Sequence, residues 1–124
     1  MKSNAMKKTL VIGASLKPER YSNLAINRLV RQGHAVHAIG QKKGMVAGVD
    51  VHTQILPFTG IHTVTLYINP GRQKPYYEYV ASLKPERVIF NPGTENAAFQ
   101  KYLQKNTIET EVACTLVLLA THTY

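Results

Sequence analysis

The stretch TLVIG at residues 9–13 decides the fold of this chain. Its first four residues carry no charge and three of them are aliphatic, which is typical of a short strand buried on both faces. Gly13 ends this strand and a polar loop follows. Leu24, Ile26 and Leu29 then recur at roughly helical spacing. A buried strand followed by an amphipathic helix is the unit from which parallel sheets are built.

The first predicted helix has signals at both of its ends. Ser22 or Asn23 can cap its start, because either side chain accepts a hydrogen bond from the free N–H groups there. Gly33 can close the helix in a left-handed conformation. We therefore expect one helix between these positions.

The same alternation of strand and helix continues to the end of the chain. Further strands are predicted at 35–39, 64–68, 87–90 and 111–113, with a short irregular strand within 49–55. Further helices are predicted after Pro75, after Thr94 as a cap with Glu95 in the first turn, and at 115–120. Alternating strands and helices imply crossover connections, so we predict a doubly wound α/β fold with a mainly parallel sheet and helices on both faces.

Size and composition exclude several classes of protein. The chain has 124 residues, of which 44% are hydrophobic and one is cysteine. We interpret residues 1–5 as an expression scar and residues 6–124 as a single domain. One cysteine excludes an intrachain disulfide framework and a Cys-rich zinc site. The apolar stretch 112–120 is too short to cross a bilayer and no signal peptide is evident, so we expect a cytoplasmic protein without a membrane partner.

The charge balance favours an anionic partner. Fifteen Lys and Arg residues against seven Asp and Glu give a net charge of +8. The partner could be nucleic acid, a membrane surface or a phosphorylated small molecule. The basic residues are scattered and no RNA-binding or zinc-finger pattern is present, so nucleic acid is disfavoured. A solvated basic surface explains the charge equally well.

The first candidate site follows the first strand. Doubly wound sheets bind ligands outside the carboxyl ends of their strands, and the loop there contains hydroxyls, an amide and cations in place of a complete G-x-G-x-x-G pattern. We predict that it holds phosphate. Its candidate residues are Gly13, Ala14, Ser15, Arg20, Ser22 and Asn23. A plain solvated loop is the alternative.

The second candidate site follows the second strand. An NAD site would place an acidic residue there to bind the ribose hydroxyls, whereas this chain has Lys42 and Lys43 after Gly40. Two lysines suit an additional phosphate on the ribose. Coenzyme A carries one at the 3′ position and NADP carries one at the 2′ position. Lysines solvated in a turn remain the alternative.

Two turns and a thiol complete the candidate edge. The turns each contain a proline and a glycine that lets the backbone approach a ligand, although turn chemistry alone explains them. Their candidate residues are Asn69, Pro70, Asn91, Pro92, Gly93, Glu95 and Asn96. Cys114 is either a small packed side chain or a thiol that exchanges with a ligand thiol. No catalytic pair and no metal-ligand spacing among the five histidines is evident, so we expect no enzyme and no metal site.

These segments together resemble the small CoA-binding protein family, single-domain relatives of the nucleotide-binding domain in the succinyl-CoA synthetase α-subunit. The residues that carry the resemblance are 11–15, 21–23, 33–36, 42–44, 91–96 and 113–117. The resemblance implies a Rossmann-like domain that binds coenzyme A across the strand ends. It places the pyrophosphate on Gly13–Ser15 with Arg20, Ser22 and Asn23, and the adenosine with its 3′-phosphate on Ile39–Lys43.

The resemblance also guides the remaining expectations. The turns at Asn69-Pro70 and 91–96 would line the adenine and pantetheine sides. The family's synthetase relatives use a phosphorylated histidine from a further domain, so we expect CoA or acyl-CoA binding without self-contained catalysis. Where many relatives have Asn-Pro after the second strand, this chain has Gly40-Gln41. An unknown protein partner is possible, and the alternatives are an NADP-binding small oxidoreductase and a basic interaction module.

Overall fold

Seven strands form one sheet in the structure, a computed structural model that describes residues 6–124. The predicted expression scar at residues 1–5 lies outside the described residues. The strands are β1 (Thr9–Ala14), β2 (Val36–Gly40), β3 (Gly44–Val46), β4 (Val49–His52), β5 (Thr63–Leu66), β6 (Arg87–Phe90) and β7 (Glu109–Val112). The helices are α1 (Tyr21–Arg31), α2 (Tyr77–Leu83), α3 (Ala97–Lys105) and α4 (Thr115–Ala120).

The order of the strands creates a crevice beside β1. The sheet runs β3-β4-β2-β1-β5-β6-β7, and all neighbours are parallel except the β3–β4 pair. The chain proceeds from β1 to β2 on one side and later returns to place β5 on the other. Strand order therefore reverses between β1 and β5, which is where doubly wound sheets bind ligands. The predicted doubly wound fold is confirmed.

Helices cover both faces of this sheet. Ile26 of α1 and Leu119 of α4 share one buried core with Val11 of β1. Phe99 and Leu103 of α3 share the other core with alternate residues of the strands and with α2. Because β1 contributes to both cores, its residues 10–12 are fully buried. Each such aliphatic side chain contributes about 1.5–3 kcal/mol through burial, which accounts for the uninterrupted apolar run.

The start of α1 differs from its prediction. Its N-cap residue is Arg20, which has extended backbone and no capping side chain, while Ser22 and Asn23 lie inside the first turn and are buried. Their expected capping role is therefore wrong. The predicted end is confirmed, because Gly33 has φ +90° and the next N–H, of His34, donates to the Leu29 carbonyl at 3.0 Å.

The start of α3 also differs from its prediction. The N-cap is Asn96, whose Oδ1 accepts a hydrogen bond from the Phe99 N–H at 3.1 Å. Thr94 does not cap the helix because it is buried and its hydroxyl donates to the Asn91 carbonyl at 2.7 Å. Glu95 consequently lies before the helix and not in its first turn.

A hairpin absent from the sequence prediction forms the outer edge of the sheet. β3 pairs antiparallel with β4, and Val46 lies opposite Val49 across the turn Ala47-Gly48. Both turn residues have positive φ, 51° and 81°, which matches the twist that a two-residue hairpin requires. Alanine rarely occupies the first of these positions, so Gly48 was the only residue of the turn that indicated a hairpin in the sequence.

Three histidines should make stability depend on pH. Burial is the main cause that lowers the pKa of His34, His37 and His62 below 6.5, and at His62 the Glu86 carboxylate opposes it. An unfolded histidine therefore binds protons at a higher pH than these folded ones do. The free energy of unfolding should fall as the pH is lowered from about 7 through 6.5.

A melting series between pH 7.5 and 5.5 tests this expectation. The Tm should decrease with acidification, and His37→Gln, which removes a ring stacked on Phe58 with centroids 4.3 Å apart, should flatten the decrease. A Tm that stays constant or rises as the pH falls would contradict it.

Candidate functional site

A cavity of about 630 Å³ lies at the carboxyl ends of β1, β2 and β5. It therefore occupies the point where strand order reverses. Three segments enclose it: the loop from β1 to α1, the turn after β2, and the segment after β5. The lining residues are Gly13, Ala14, Ser15, Leu16, Lys17, Pro18, Arg20, Ile39, Gly40, Gln41, Lys42, Tyr67, Ile68, Arg72 and Tyr76.

The cavity brings together part of the predicted site. The predicted residues in its lining are Gly13, Ala14, Ser15, Arg20, Ile39, Gly40 and Lys42. The predicted residues outside its lining are Ser22, Asn23, Lys43, Asn69, Pro70, Asn91, Pro92, Gly93, Glu95, Asn96 and Cys114. A role in ligand binding stays a prediction for both groups.

Gly13 is required by the close approach of β1 to the end of β5. It has φ +98° and lies at a register shift between Ile12 and Ala14. A Cβ placed there would lie 2.7 Å from both the carbonyl carbon and the oxygen of Tyr67. Only glycine fits this position, so the end of β1 packs directly against the Tyr67 backbone beside the cavity.

Gly40 and Gly44 hold the turn after β2 against the loop after β1. A Cβ on Gly40 would clash with the Ala14 carbonyl oxygen and would lie 3.0 Å from a Val51 methyl group. A Cβ on Gly44 would lie 2.8 Å from the Leu16 methyl groups. These two glycines let the two segments pack together, which places Lys42 beside the phosphate-binding loop predicted from the sequence.

Asn23 supports that loop from within the protein. Its side-chain N–H donates to the Ser15 carbonyl at 2.9 Å, and its Oδ1 accepts from Asn27 at 3.0 Å. The Ser15 hydroxyl accepts from the Lys17 N–H at 3.1 Å. In the structure Asn23 therefore positions the backbone of the loop.

The start of α1 is favourable for an anion. Its first turn contains no acidic residue and no side chain caps it. The first N–H groups of a helix lack partners within the helix and carry the positive end of its dipole. Arg20, immediately before the helix, lines the cavity. An anion in the cavity would therefore meet Arg20, the N-cap residue, while Ser22 and Asn23 of the first turn lie outside the lining.

The cavity is cationic. Lys17, Arg20, Lys42 and Arg72 line it, whereas no aspartate or glutamate does. Opposed positive charges in a concave, partly enclosed space attract anions and bind phosphate oxygens through charge-assisted hydrogen bonds. The arrangement suits a ligand that carries more than one phosphate.

The walls include residues that the sequence analysis did not select. Tyr67, Ile68, Arg72 and Tyr76 come from the segment that follows β5, and Leu16 comes from the loop after β1. Arg72 had a usable signal, since it is a cation directly after the predicted turn Asn69-Pro70-Gly71. Burial raises the pKa of the Tyr67 phenol, so this group is neutral at ordinary pH.

Asn91 holds the second predicted turn in place. Its two amide N–H groups donate to Thr65 Oγ1 at 2.6 Å and to the Leu66 carbonyl at 2.9 Å, and its oxygen accepts from the Thr115 N–H at 2.8 Å. Asn91 is 1% exposed. Both of its donors are therefore used in joining β5, β6 and α4.

The neighbours of Asn91 also make internal contacts. Glu95 accepts from the Gly93 N–H at 2.9 Å, and Asn96 donates to the buried Gln73 at 2.9 Å. Cys114 is a free, partly buried thiol that directly precedes α4. Within residues 6–124, no cluster of His, Cys, Asp and Glu could hold a metal ion. No helix in this range has the length and apolarity needed to span a membrane.

The topology defines a protein of the Rossmann-like α/β class, with a cationic cavity at the point where strand order reverses. The particular family follows from its sequence model: the model described as "CoA binding domain" matches residues 7–120. This chain belongs to that CoA-binding domain family, which confirms the resemblance drawn from its motifs.

Several solved structures share this fold. A crystal structure of an uncharacterized protein is 48% identical with a TM-score of 0.94, and the match covers 97% of this chain and 99% of that one. A hypothetical protein from Pyrococcus horikoshii OT3 is 25% identical with a TM-score of 0.81, and the match covers 90% of this chain and 80% of that one. A protein from Thermus thermophilus is 20% identical with a TM-score of 0.81, and the match covers 95% of this chain and 91% of that one. At this identity the likeness shows the fold alone. No curated protein matches this chain.

Proposed function

We propose that this protein binds coenzyme A or an acyl-CoA in the cavity beside β1, without self-contained catalysis. The observation that carries the proposal is the set of four cations, with no carboxylate, around the cavity where strand order reverses. Coenzyme A bears a pyrophosphate and a 3′-phosphate, so its charge is complementary to this lining.

The cavity floor suits the pyrophosphate of this ligand. Gly13 lets the end of β1 lie directly against Tyr67 in the cavity lining, and α1, which begins directly after Arg20, has no side-chain cap. Lys17 and Arg20 stand in the lining beside them. In this proposal Gly13–Ser15 and Arg20 bind the pyrophosphate, while Asn23 holds their loop.

The turn after β2 is proposed to bind the 3′-phosphate. Lys42 lines the cavity, and Lys43 follows it in the same exposed turn. Ile39, near the end of β2, is also among the lining residues, and the adenosine is proposed to lie beside this end of the strand. The turns at Asn69-Pro70 and 91–96 are proposed to flank the adenine and pantetheine sides, as the resemblance implies.

The composition of the lining supports binding without catalysis. No His, Asp, Glu or Cys side chain lines the cavity, so it lacks the residue types that most commonly act as a general base near neutral pH. In this proposal, any reaction of the bound ligand depends on a further protein that supplies the reacting groups.

A thermal-shift panel tests the proposed ligand. CoA, acetyl-CoA, dephospho-CoA, NADP and NAD are compared at matched concentrations, since a ligand of the folded state raises the Tm by mass action. We expect CoA and acetyl-CoA to stabilise the protein more than dephospho-CoA, and NADP and NAD to have little effect. A shift with NADP alone would favour the oxidoreductase alternative. Salt-sensitive oligonucleotide binding that persists at saturating CoA would favour the basic interaction module.

The Cys114 thiol provides a separate prediction. Cys114 follows β7, which is separated from β5 by β6, so the thiol of a CoA bound beside β1 must extend across roughly 10 Å of sheet beyond β5. We expect CoA disulfide to react with the Cys114 thiolate, forming a protein–CoA mixed disulfide and releasing one CoA thiol. Intact-mass spectrometry should show one adduct that a reductant removes and that Cys114→Ser lacks. An unmodified native chain would contradict this prediction.

A further inference from the structure

Gln41 and Arg72 meet over the carboxyl end of β1. Gln41 follows β2 and Arg72 ends a short 3-10 turn, Pro70–Arg72, after β5. The Gln41 side chain lies against the Arg72 guanidinium, and we assign its amide with the oxygen toward Arg72, where it accepts hydrogen bonds from both Nη atoms, at 3.0 Å from Nη1. The opposite amide orientation would set N–H groups against N–H groups. We call this contact the Gln41–Arg72 bridge.

Both ends of the bridge stand on anchored backbone. Gln73, directly after Arg72, is fully buried, and its amide donates to the Ile68 carbonyl at 3.0 Å and to the Thr94 carbonyl at 2.8 Å. Gly40, directly before Gln41, packs against the Ala14 carbonyl. The two side chains are exposed, so they retain freedom that their backbone lacks.

The bridge leaves the charge of Arg72 uncompensated. A guanidinium has five N–H donors, and the neutral Gln41 oxygen engages only one edge of it. Within residues 6–124 no carboxylate lies within ion-pair distance of Arg72. Its remaining donors are available to an anion in the cavity that it lines.

We propose that Arg72 binds a phosphate of the nucleotide ligand and that Gln41 is its positioning residue; this rests on the proposed function. Arg72 and Lys42 approach the cavity from β5 and β2, on opposite sides of β1. With one edge of its guanidinium held by Gln41, Arg72 can present another edge to two phosphate oxygens. Holding the side chain beforehand reduces the conformational entropy lost when the ligand binds.

Calorimetric titrations with CoA test both roles. Arg72→Gln should weaken CoA binding about tenfold, as expected for loss of a charge-assisted contact, and should make the affinity less sensitive to salt. Arg72→Lys should restore the salt sensitivity but only part of the affinity, because it keeps the charge and loses the planar fork. Lys74→Gln is the matched control, since it removes an exposed cation of the same segment that does not line the cavity. It should leave the affinity unchanged.

The positioning role of Gln41 requires a double variant. Gln41→Ala should weaken CoA binding about threefold in the native chain, which is the change in affinity expected when one more side chain must become ordered on binding. It should have no effect in the Arg72→Gln background, because Gln41 then has no guanidinium to position. An equal loss in both backgrounds would overturn the positioning role, and native affinity in Arg72→Gln would overturn the binding role.

A titration with inorganic pyrophosphate separates this inference from the proposed function. If the native chain binds CoA and Arg72→Gln binds it equally well, only the inference fails. If the native chain does not bind CoA, the proposed function fails and pyrophosphate decides the role of Arg72. Weaker pyrophosphate binding in Arg72→Gln but not in Lys74→Gln would then support an anion site at Arg72, and equal binding in all three proteins would overturn it.

Discussion

Lys42→Ala combined with Lys43→Ala is expected to weaken the binding of CoA by about ten- to a hundredfold and that of dephospho-CoA by about threefold or less. The two ligands differ only in the 3′-phosphate, which we assign to this turn. Charge-assisted hydrogen bonds contribute about 1.5–3 kcal/mol, and 1.4 kcal/mol corresponds to a tenfold change in affinity. Titration calorimetry of both ligands at one fixed ionic strength measures the difference.

A second double variant controls for the change in net charge. Lys101→Ala with Lys105→Ala removes the same charge from exposed positions of α3, away from the cavity. It should alter the binding of both ligands little, because exposed charges at a distance are screened by salt. Equal weakening of CoA and dephospho-CoA by the Lys42 and Lys43 changes would show that this turn does not bind the 3′-phosphate.

Gly13→Ala is expected to damage both the stability and the site. Alanine at this position would have to adopt a strained backbone conformation with φ +98°, and its Cβ would lie 2.7 Å from the Tyr67 carbonyl carbon. Backbone strain and overpacking together should lower the free energy of unfolding by about 3 kcal/mol and the Tm by about 10 °C. The displaced floor of the cavity should also weaken CoA by more than tenfold. Thermal unfolding and calorimetry measure the two effects separately.

Gly48→Ala is the matched control for this variant. Gly48 also has positive φ, +81°, but a Cβ there would meet nothing within 4 Å. Its free energy of unfolding should fall only by the cost of the strained backbone, about 1 kcal/mol, and it should bind CoA normally. If Gly13→Ala behaved like Gly48→Ala in both measurements, the close approach of β1 to β5 would not shape the site.

The central elements of the fold could be predicted because their signals are local. The run at 9–12 is buried on both faces and therefore has to be apolar throughout, so β1 was evident from composition alone. The ends of helices were harder, because Asn23 and Thr94 carry side chains suited to capping but use them to hold loops. β3 was missed because three residues show no periodicity and its turn begins with Ala47.

The candidate site was predictable where it follows from topology. Gly13 and Gly40 end or directly follow predicted strands and Lys42 lies in the turn after the second, and parallel strands bring their carboxyl ends to one edge. Arg72 and Tyr76 lie further along the segment after β5, so their place in the cavity depends on the path of a 3-10 turn. Asn91 could be placed near that edge, but its internal hydrogen bonds depend on side-chain directions that spacing does not specify.

The most direct test of CoA binding at the cavity is a titration followed by backbone amide NMR on uniformly labelled protein. We expect the amides of Gly13, Ser15 and Gly40 to shift and to saturate at one equivalent of CoA, while those of Leu103 and Lys105 in α3 stay unchanged. Unchanged spectra at millimolar CoA, or shifts centred away from the ends of β1, β2 and β5, would contradict the account.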